Sequence, residues 1–335
     1  MTIGSNVSFM TQSTSQINRL NDLRSSFDDL QRQVTTQKKY DNYSGFGTNS
    51  INLQHLHTTQ TMTEGYLNNI DTISPRMEMM SKLMTQISQL GSQLLGAIHL
   101  ADGGNMQSIN RLAQQNLKFA EDMINQQLDG RYLFAGSDVE ARPFVDDNTL
   151  NSNFKNKIDS WLAGGGNAPL ISATDGFGTT NLGLASGLAE SGAVTARISQ
   201  SLDIDYTVKA DQPAFRDIIR AFAFLANLKN PDPGAGDVPT AAEFKDILSH
   251  ATDALTRGVQ GMNDANQQLA SKFSLVKSVK ESHLSDNDLL LTQIDRIESV
   301  DPQSAIISMQ SLQNQLTASY QVTKIVSQMS LVNFM

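Results

Sequence analysis

The chain has 335 residues, 39% of them hydrophobic, with 25 basic against 34 acidic side chains and no cysteine. That is enough apolar material for a packed core rather than a disordered tail, and a net charge of −9 argues against a partner whose phosphates must be neutralised. Disulfides and thiolate metal sites are excluded, so stability has to come from packing or from assembly.

The first residues, MTIGSNVSFMTQSTSQIN, lack the basic and apolar regions of a cleaved signal peptide, so none is expected. No window offers the roughly eighteen consecutive apolar residues of a membrane span, and no membrane partner is expected either. No residue before Arg19 is charged. Leu20, Leu23, Phe27, Leu30 and Val34 then step three and four residues apart, which is the seam of a helix.

A second helical stripe follows at Met77, Met80, Met84, Ile87, Gly91, Leu94 and Ile98, broken by DGGN at 102–105. A third runs through Ile109, Ala113, Leu117, Ala120, Ile124 and Leu128, and its spacing predicts helix up to Gly130. Methionine on such stripes reads as core filler. Between positions 136 and 212 the character changes, with nine glycines and the only tryptophan, Trp161. Val194, Ala196 and Ile198, then Leu202, Ile204, Tyr206 and Val208, alternate with polar residues, which predicts two strands and a turn near Gln200. Phe215, Ile218, Ile219, Phe222 and Leu225 predict a short amphipathic helix. The loop NPDPGAGDVP at 230–239 joins it to a long run that opens on Thr240 and Glu243, a capping-box pattern, and continues without proline to about Val300.

The chain ends in a segment that almost lacks charge: residues 303–335 contain only Lys324. Asp301 and Pro302 predict its start, as N-cap and first helical residue. Ala305, Met309, Leu312, Leu316, Ser319, Thr323, Val326 and Ser330 form a heptad seam, while Ile306, Ile307, Tyr320, Ile325, Met329 and Leu331 lie off it. Both chain ends are therefore charge-poor helices that suit each other as partners, each with a second sticky face. A lone coiled coil would cover such a face with Lys and Glu, so packing between subunits is the expected use.

Catalytic chemistry is not apparent. His55 and His57 would lie about 200° apart on a helix and cannot chelate one metal there. AGGGN at 163–167 lacks the Lys and Ser/Thr of a phosphate loop. Asp28 with Asp29, and Asp146 with Asp147, read as solvated charge. No metal, cofactor or nucleic acid is expected.

Charge-poor helical ends flanking an inserted variable segment resemble the bacterial flagellin superfamily. Within it, GRYLFAGSDVEARPF at 130–144 is similar to the segment that ends the second long helix in the hook–filament junction family (hook-associated protein 3), with Tyr132, Leu133, Phe134, Ala135 and Gly136 followed by Pro143 and Phe144. The close MSLVNFM and the pattern from Asp301 also resemble that family. Thr2 and SGFGTNSINLQ at 44–54 depart from it, where a basic residue and a Ser-Asp-Asp-Pro turn are common.

The resemblance implies a mainly α fold: a long antiparallel coiled-coil helical rod built from both chain ends, with a small inserted β-rich (α+β) domain. It implies terminal helices at 1–40 and 300–335, a rod at 41–135 and 213–299, and the insert at 136–212. It implies a non-enzymatic, secreted adaptor of the flagellum, exported unfolded through the type III pathway with a cytoplasmic chaperone. Its partners would be other copies in a ring, the preceding junction protein on the hook side, and flagellin. The expected assembly residues are Leu20, Leu23, Phe27, Leu30, Val34, Met309, Leu312, Leu316, Val326 and Leu331. A short flagellin, or an exported effector with a catalytic insert, are the other readings.

Overall fold

The computed structural model describes residues 3–100, 106–163, 177–228 and 240–332. These are mainly helical, with seven α-helices and two short two-stranded ribbons. The chain divides into two units, Met1–Glu64 with Leu284–Met335, and Gly65–His283. Both boundaries fall inside long helices, α2 (Ser50–Leu100) and α6 (Ala241–Glu298).

In the larger unit the stripe of α2 is buried as its spacing predicts, and it reaches further back, through Ile73 and Ile70. Pro75 stands inside the helix, where it removes one ladder hydrogen bond. The apolar burial on either side, at Ile73 and Met77, offsets that loss. α6 runs antiparallel to α2. The Ser81 hydroxyl donates to Asn266 Oδ1 at 2.6 Å, the Ser88 hydroxyl to Asn263 Oδ1 at 2.8 Å, and Lys280 Nζ to Asp71 at 2.6 Å. Just beyond the Ser88 rung Gly91 faces Val259 and Leu255.

Helix α3 (Met106–Ile124) buries its predicted stripe but ends six residues short of Gly130. The reason is Asn125. Its side chain donates to the Phe144 carbonyl and accepts from the Phe144 N–H, both at 2.9 Å, which a continuing helix would forbid. The chain instead forms the ribbon β1 (Gln127–Leu128) with β2 (Arg131–Tyr132), closed by Asp129 and Gly130, both at positive φ. Leu128, expected on the helix, is a strand residue.

The glycine-rich stretch holds a helix that was not expected, α4 (Asp147–Ala163), whose Leu150, Phe154, Ile158 and Trp161 are buried at helical spacing. Asp146 caps it, accepting from the N–H groups of Asn148 and Thr149 at 2.9 and 3.2 Å. The Thr149 hydroxyl and N–H bonds hold the Asp146 carboxyl below its usual range, so this residue has a capping role beyond solvated charge. The second ribbon pairs β3 (Thr195–Ser199) with β4 (Leu202–Asp205), Ala196 opposite Ile204, around the turn expected at Gln200. Its buried face is the one that the alternation predicts.

Helix α5 (Pro213–Asn227) is the centre of this core. Phe215, Ile218, Ile219, Phe222 and Leu225 are fully excluded from water, and Phe134 and Phe154 set their rings 5.2 and 5.1 Å from those of Phe215 and Phe224. Gly258 on α6 lets α5 come close, since a Cβ there would lie 2.6 Å from Ile218 Cγ1 and 2.9 Å from its backbone nitrogen. Thr240 precedes α6, its carbonyl accepting from Phe244 N–H at 2.9 Å, and the side chain of Glu243, the other half of the expected capping box, lies outside the described residues. The expected breaks at 102–105 and 230–239, and most of AGGGN, lie outside the described residues.

In the smaller unit α1 (Ile3–Thr36) packs on α7 (Pro302–Val332). The pair is antiparallel, since the end of α1 is laced to the start of α7. Lys39 N–H donates to the Glu298 carbonyl at 2.8 Å, and Val300 N–H donates to Gln37 at 3.1 Å. Lys39 Nζ caps the carbonyls of Arg296 and Ile297. Asp301 accepts from Gln303 N–H at 3.0 Å, the N-cap that the sequence predicts before Pro302. The segment that departs from the family pattern is a 3-10 turn, Tyr43–Asn49, capped by the Asn42 side chain. Beyond it Leu53 and Leu56 form a small core with Ile294.

Candidate assembly interface

The terminal helices owe their pairing to the seams already read from sequence. On α1, Leu20, Leu23, Phe27, Leu30 and Val34 are each half-buried, and the residues between them are mostly exposed. On α7, Ala305 is buried, and Met309, Leu312, Leu316, Ser319 and Thr323 are half-buried. Val326 and Leu331 fall within the helix, but their side chains lie outside the described residues, as do those of Met329 and Ser330. A groove of about 250 Å3 runs between the helices, lined by Gln16, Arg19, Leu20, Ala318, Val322 and their neighbours.

Two helices alone cannot cover two apolar faces each. Ile307 is 67% exposed, and Tyr320, Ile325, Val322, Ile306 and, on α1, Ile17 are also open to water. These side chains flank the seam on both sides and make α7 a candidate interaction surface. The stretch of α7 that carries these residues has one charge, Lys324, its other polar residues being uncharged. Ile17 and Val322 escaped the sequence reading because neither belongs to a clean repeat.

One charged cluster in this unit was also missed. Glu298, near the end of α6, receives His57 Nε2 at 2.7 Å and Lys38 Nζ at 2.9 Å. Burial pushes its carboxyl up, but the His57 and Lys38 hydrogen bonds and the Lys38 charge outweigh it and hold the group below its usual range. The HxH pair is thus split, His57 serving this clasp and His55 lying exposed.

The segment resembling the junction family is a packing element of the larger unit. Leu133, Phe134 and Ala135 are buried, with Phe134 accepting from Ala210 N–H at 3.0 Å. Gly136 has φ of 68° and no room for a side chain, since a Cβ would lie 2.5 Å from Ser191 Oγ. Pro143 and Phe144 are buried where the chain is clasped to Asn125, and Tyr132 is half-buried in β2. These residues close the core and form no open site.

Among the described residues, no helix is long and apolar enough to cross a membrane. No family model and no curated relative matches the sequence. In fold the chain is similar to a solved structure from Vibrio parahaemolyticus, provisionally assigned as a flagellar hook-associated protein, with a TM-score of 0.52. The match covers 75% of this chain and 97% of that one, at 10% identity. At that identity the likeness is one of fold.

Proposed function

We propose that this chain is a non-enzymatic structural subunit of the bacterial flagellum, an adaptor at the hook–filament junction that assembles through its terminal helices. The observation that carries the reading is the uncovered apolar face of α7, on a helix with almost no charge. The fold likeness to a hook-associated protein supports the flagellar setting, and the residues at 130–144 and the chain end support the junction rather than the filament.

In such an assembly Leu20, Leu23, Phe27, Leu30, Val34, Met309, Leu312, Leu316, Val326 and Leu331 pack the α1–α7 pair, and the residues off the seam pack against neighbouring copies. Ordering these helices costs conformational entropy, and burial of their second faces offsets it. Charge is kept out because a carboxylate or ammonium would be buried unpaired at some contact. The partners are other copies of the chain, the preceding junction protein and flagellin, with a cytoplasmic chaperone before export to the extracellular flagellum.

The test is to mix purified chain with isolated hooks and image them by electron microscopy. A ring that forms only on hook tips carrying the preceding junction protein is the expected result. Long filaments grown from the chain alone would instead make it a short flagellin, and no association with either would overturn the structural reading.

A further inference from the structure

The larger unit contains a polar cavity that assembly through the terminal helices does not use. It measures about 310 Å3 and is lined by Arg76 of α2, Arg131 of β2 and Arg197 of β3, with Thr72, Thr195 and Tyr206. Arg76 is the unusual member. Its side chain is only 9% exposed, and its ion-pair partner Asp129 stands 3.8 Å away and is largely in solvent. Tyr206 lines the cavity beside it, and the Arg76 Nε, closed off from solvent, finds no acceptor among the described residues. A buried guanidinium with an unmet donor is destabilising. The Arg76 guanidinium forms part of one wall of the open cavity.

The charges around the cavity set the kind of acceptor. Arg197 is held by Asp203 in a two-pronged contact of 2.9 and 3.4 Å. Arg131 makes no ion pair among the described residues and is exposed. Three guanidiniums against the two carboxylates of Asp129 and Asp203 leave one positive charge in excess. Guanidinium forks match the planar geometry of a carboxylate. The hydroxyls of Thr72 and Thr195 add partners for polar groups beyond it, and the volume is at the small end for ligand pockets, roughly 300–1,000 Å3.

We propose that this cavity binds a small hydroxylated monocarboxylate, its carboxylate held by Arg76 and Arg131 and its hydroxyls by the threonines and Tyr206. The measurement is calorimetric titration of the full chain with glucuronate at constant ionic strength, beside glucose and sulfate. Saturable glucuronate binding is expected, weakened at least about tenfold by Arg131→Ala, which removes a charge-assisted contact from an exposed position. Arg76→Lys keeps the charge but loses the fork and is expected to weaken binding as well, with circular dichroism checking that both variants stay helical. No saturable heat would overturn the proposal. Equal binding of sulfate or of glucose, or unchanged binding in Arg131→Ala, would overturn it too.

Discussion

In the larger unit, Met77, Met84 and Leu94 on α2 and Phe215, Ile218 and Phe222 on α5 are wholly withdrawn from water. In the smaller unit the corresponding seam residues, Leu23 and Phe27 on α1 and Leu312 and Leu316 on α7, are only half covered, and Ile307 and Tyr320 face solvent. Both units use the same heptad-like spacing. The difference lies in how many neighbours each helix has: α5 is enclosed by α3, α4 and the glycine-lined face of α6, while α1 and α7 have chiefly each other. A helical stripe therefore states that a face is to be buried but not whether the chain itself supplies the cover.

The hardest test of this contrast is Leu316→Asp. An ionised carboxylate on that seam is destabilising by several kcal/mol in every subunit of an assembly. Ring formation on hooks is expected to be abolished, while melting of the larger unit stays as in the parent chain. A variant that assembles normally would remove the terminal helices from the interface. Phe222→Ala should do the reverse, lowering unfolding free energy by about 3–5 kcal/mol in denaturant titration; a loss below about 1 kcal/mol would mean that α5 is not the centre of the core.

A smaller effect is expected from Gly258→Ala, about 1–3 kcal/mol, because the new methyl meets Ile218 backbone as well as its side chain. Gly65, which has open space around it, is the control, where Ala should stabilise the helix slightly. The smallest effect belongs to Glu298. Its folded-state pKa lies below the ordinary 4.5, so its contribution is present above about that pH and is lost as the pH falls through the lowered value. Amide exchange at Lys39, whose N–H donates to the Glu298 carbonyl, should quicken in that acid range beyond the intrinsic trend, and Glu298→Gln should remove the extra pH dependence.

Much of the architecture could be read from spacing alone. The stripes on α2, α3, α5 and α7, the β3–β4 alternation and the Asp301 cap each depend on neighbours within one turn or one strand. What escaped depended on distant partners or on residues that contradict their context. Pro75 concealed the first half of α2, because proline argues for a break unless tertiary burial on both sides overrides it. The early end of α3 is set by Phe144, nineteen positions on from Asn125, and no local signal announces it. Helix α4 was hidden by the glycines that follow it, although Leu150, Phe154 and Ile158 carry a helical step. Between α1 and α7 the seam was plain, whereas the Lys38–Glu298–His57 clasp joins positions far apart in the sequence. Arg76 was overlooked because it sits beside an apolar stripe and draws no attention until its burial is known.

The serine–asparagine rungs between α2 and α6 have a mechanical consequence. A purely apolar seam of methionines and leucines can slide by a helical step with little penalty, since one methylene replaces another. A hydroxyl donating to one amide oxygen is satisfied at a single axial offset, and Ser81 and Ser88 fix that offset at two separate levels. Sliding by one step would break both pairs, and the cost falls mainly on Ser88, the one buried member, at about 1–3 kcal/mol if its hydroxyl is left unsatisfied. Just beyond the rungs Gly91 lets Val259 of α6 come close, since a Cβ there would lie 2.6 Å from its Cγ2. The two helices are thus keyed to one axial register at these two levels, which opposes shear between them.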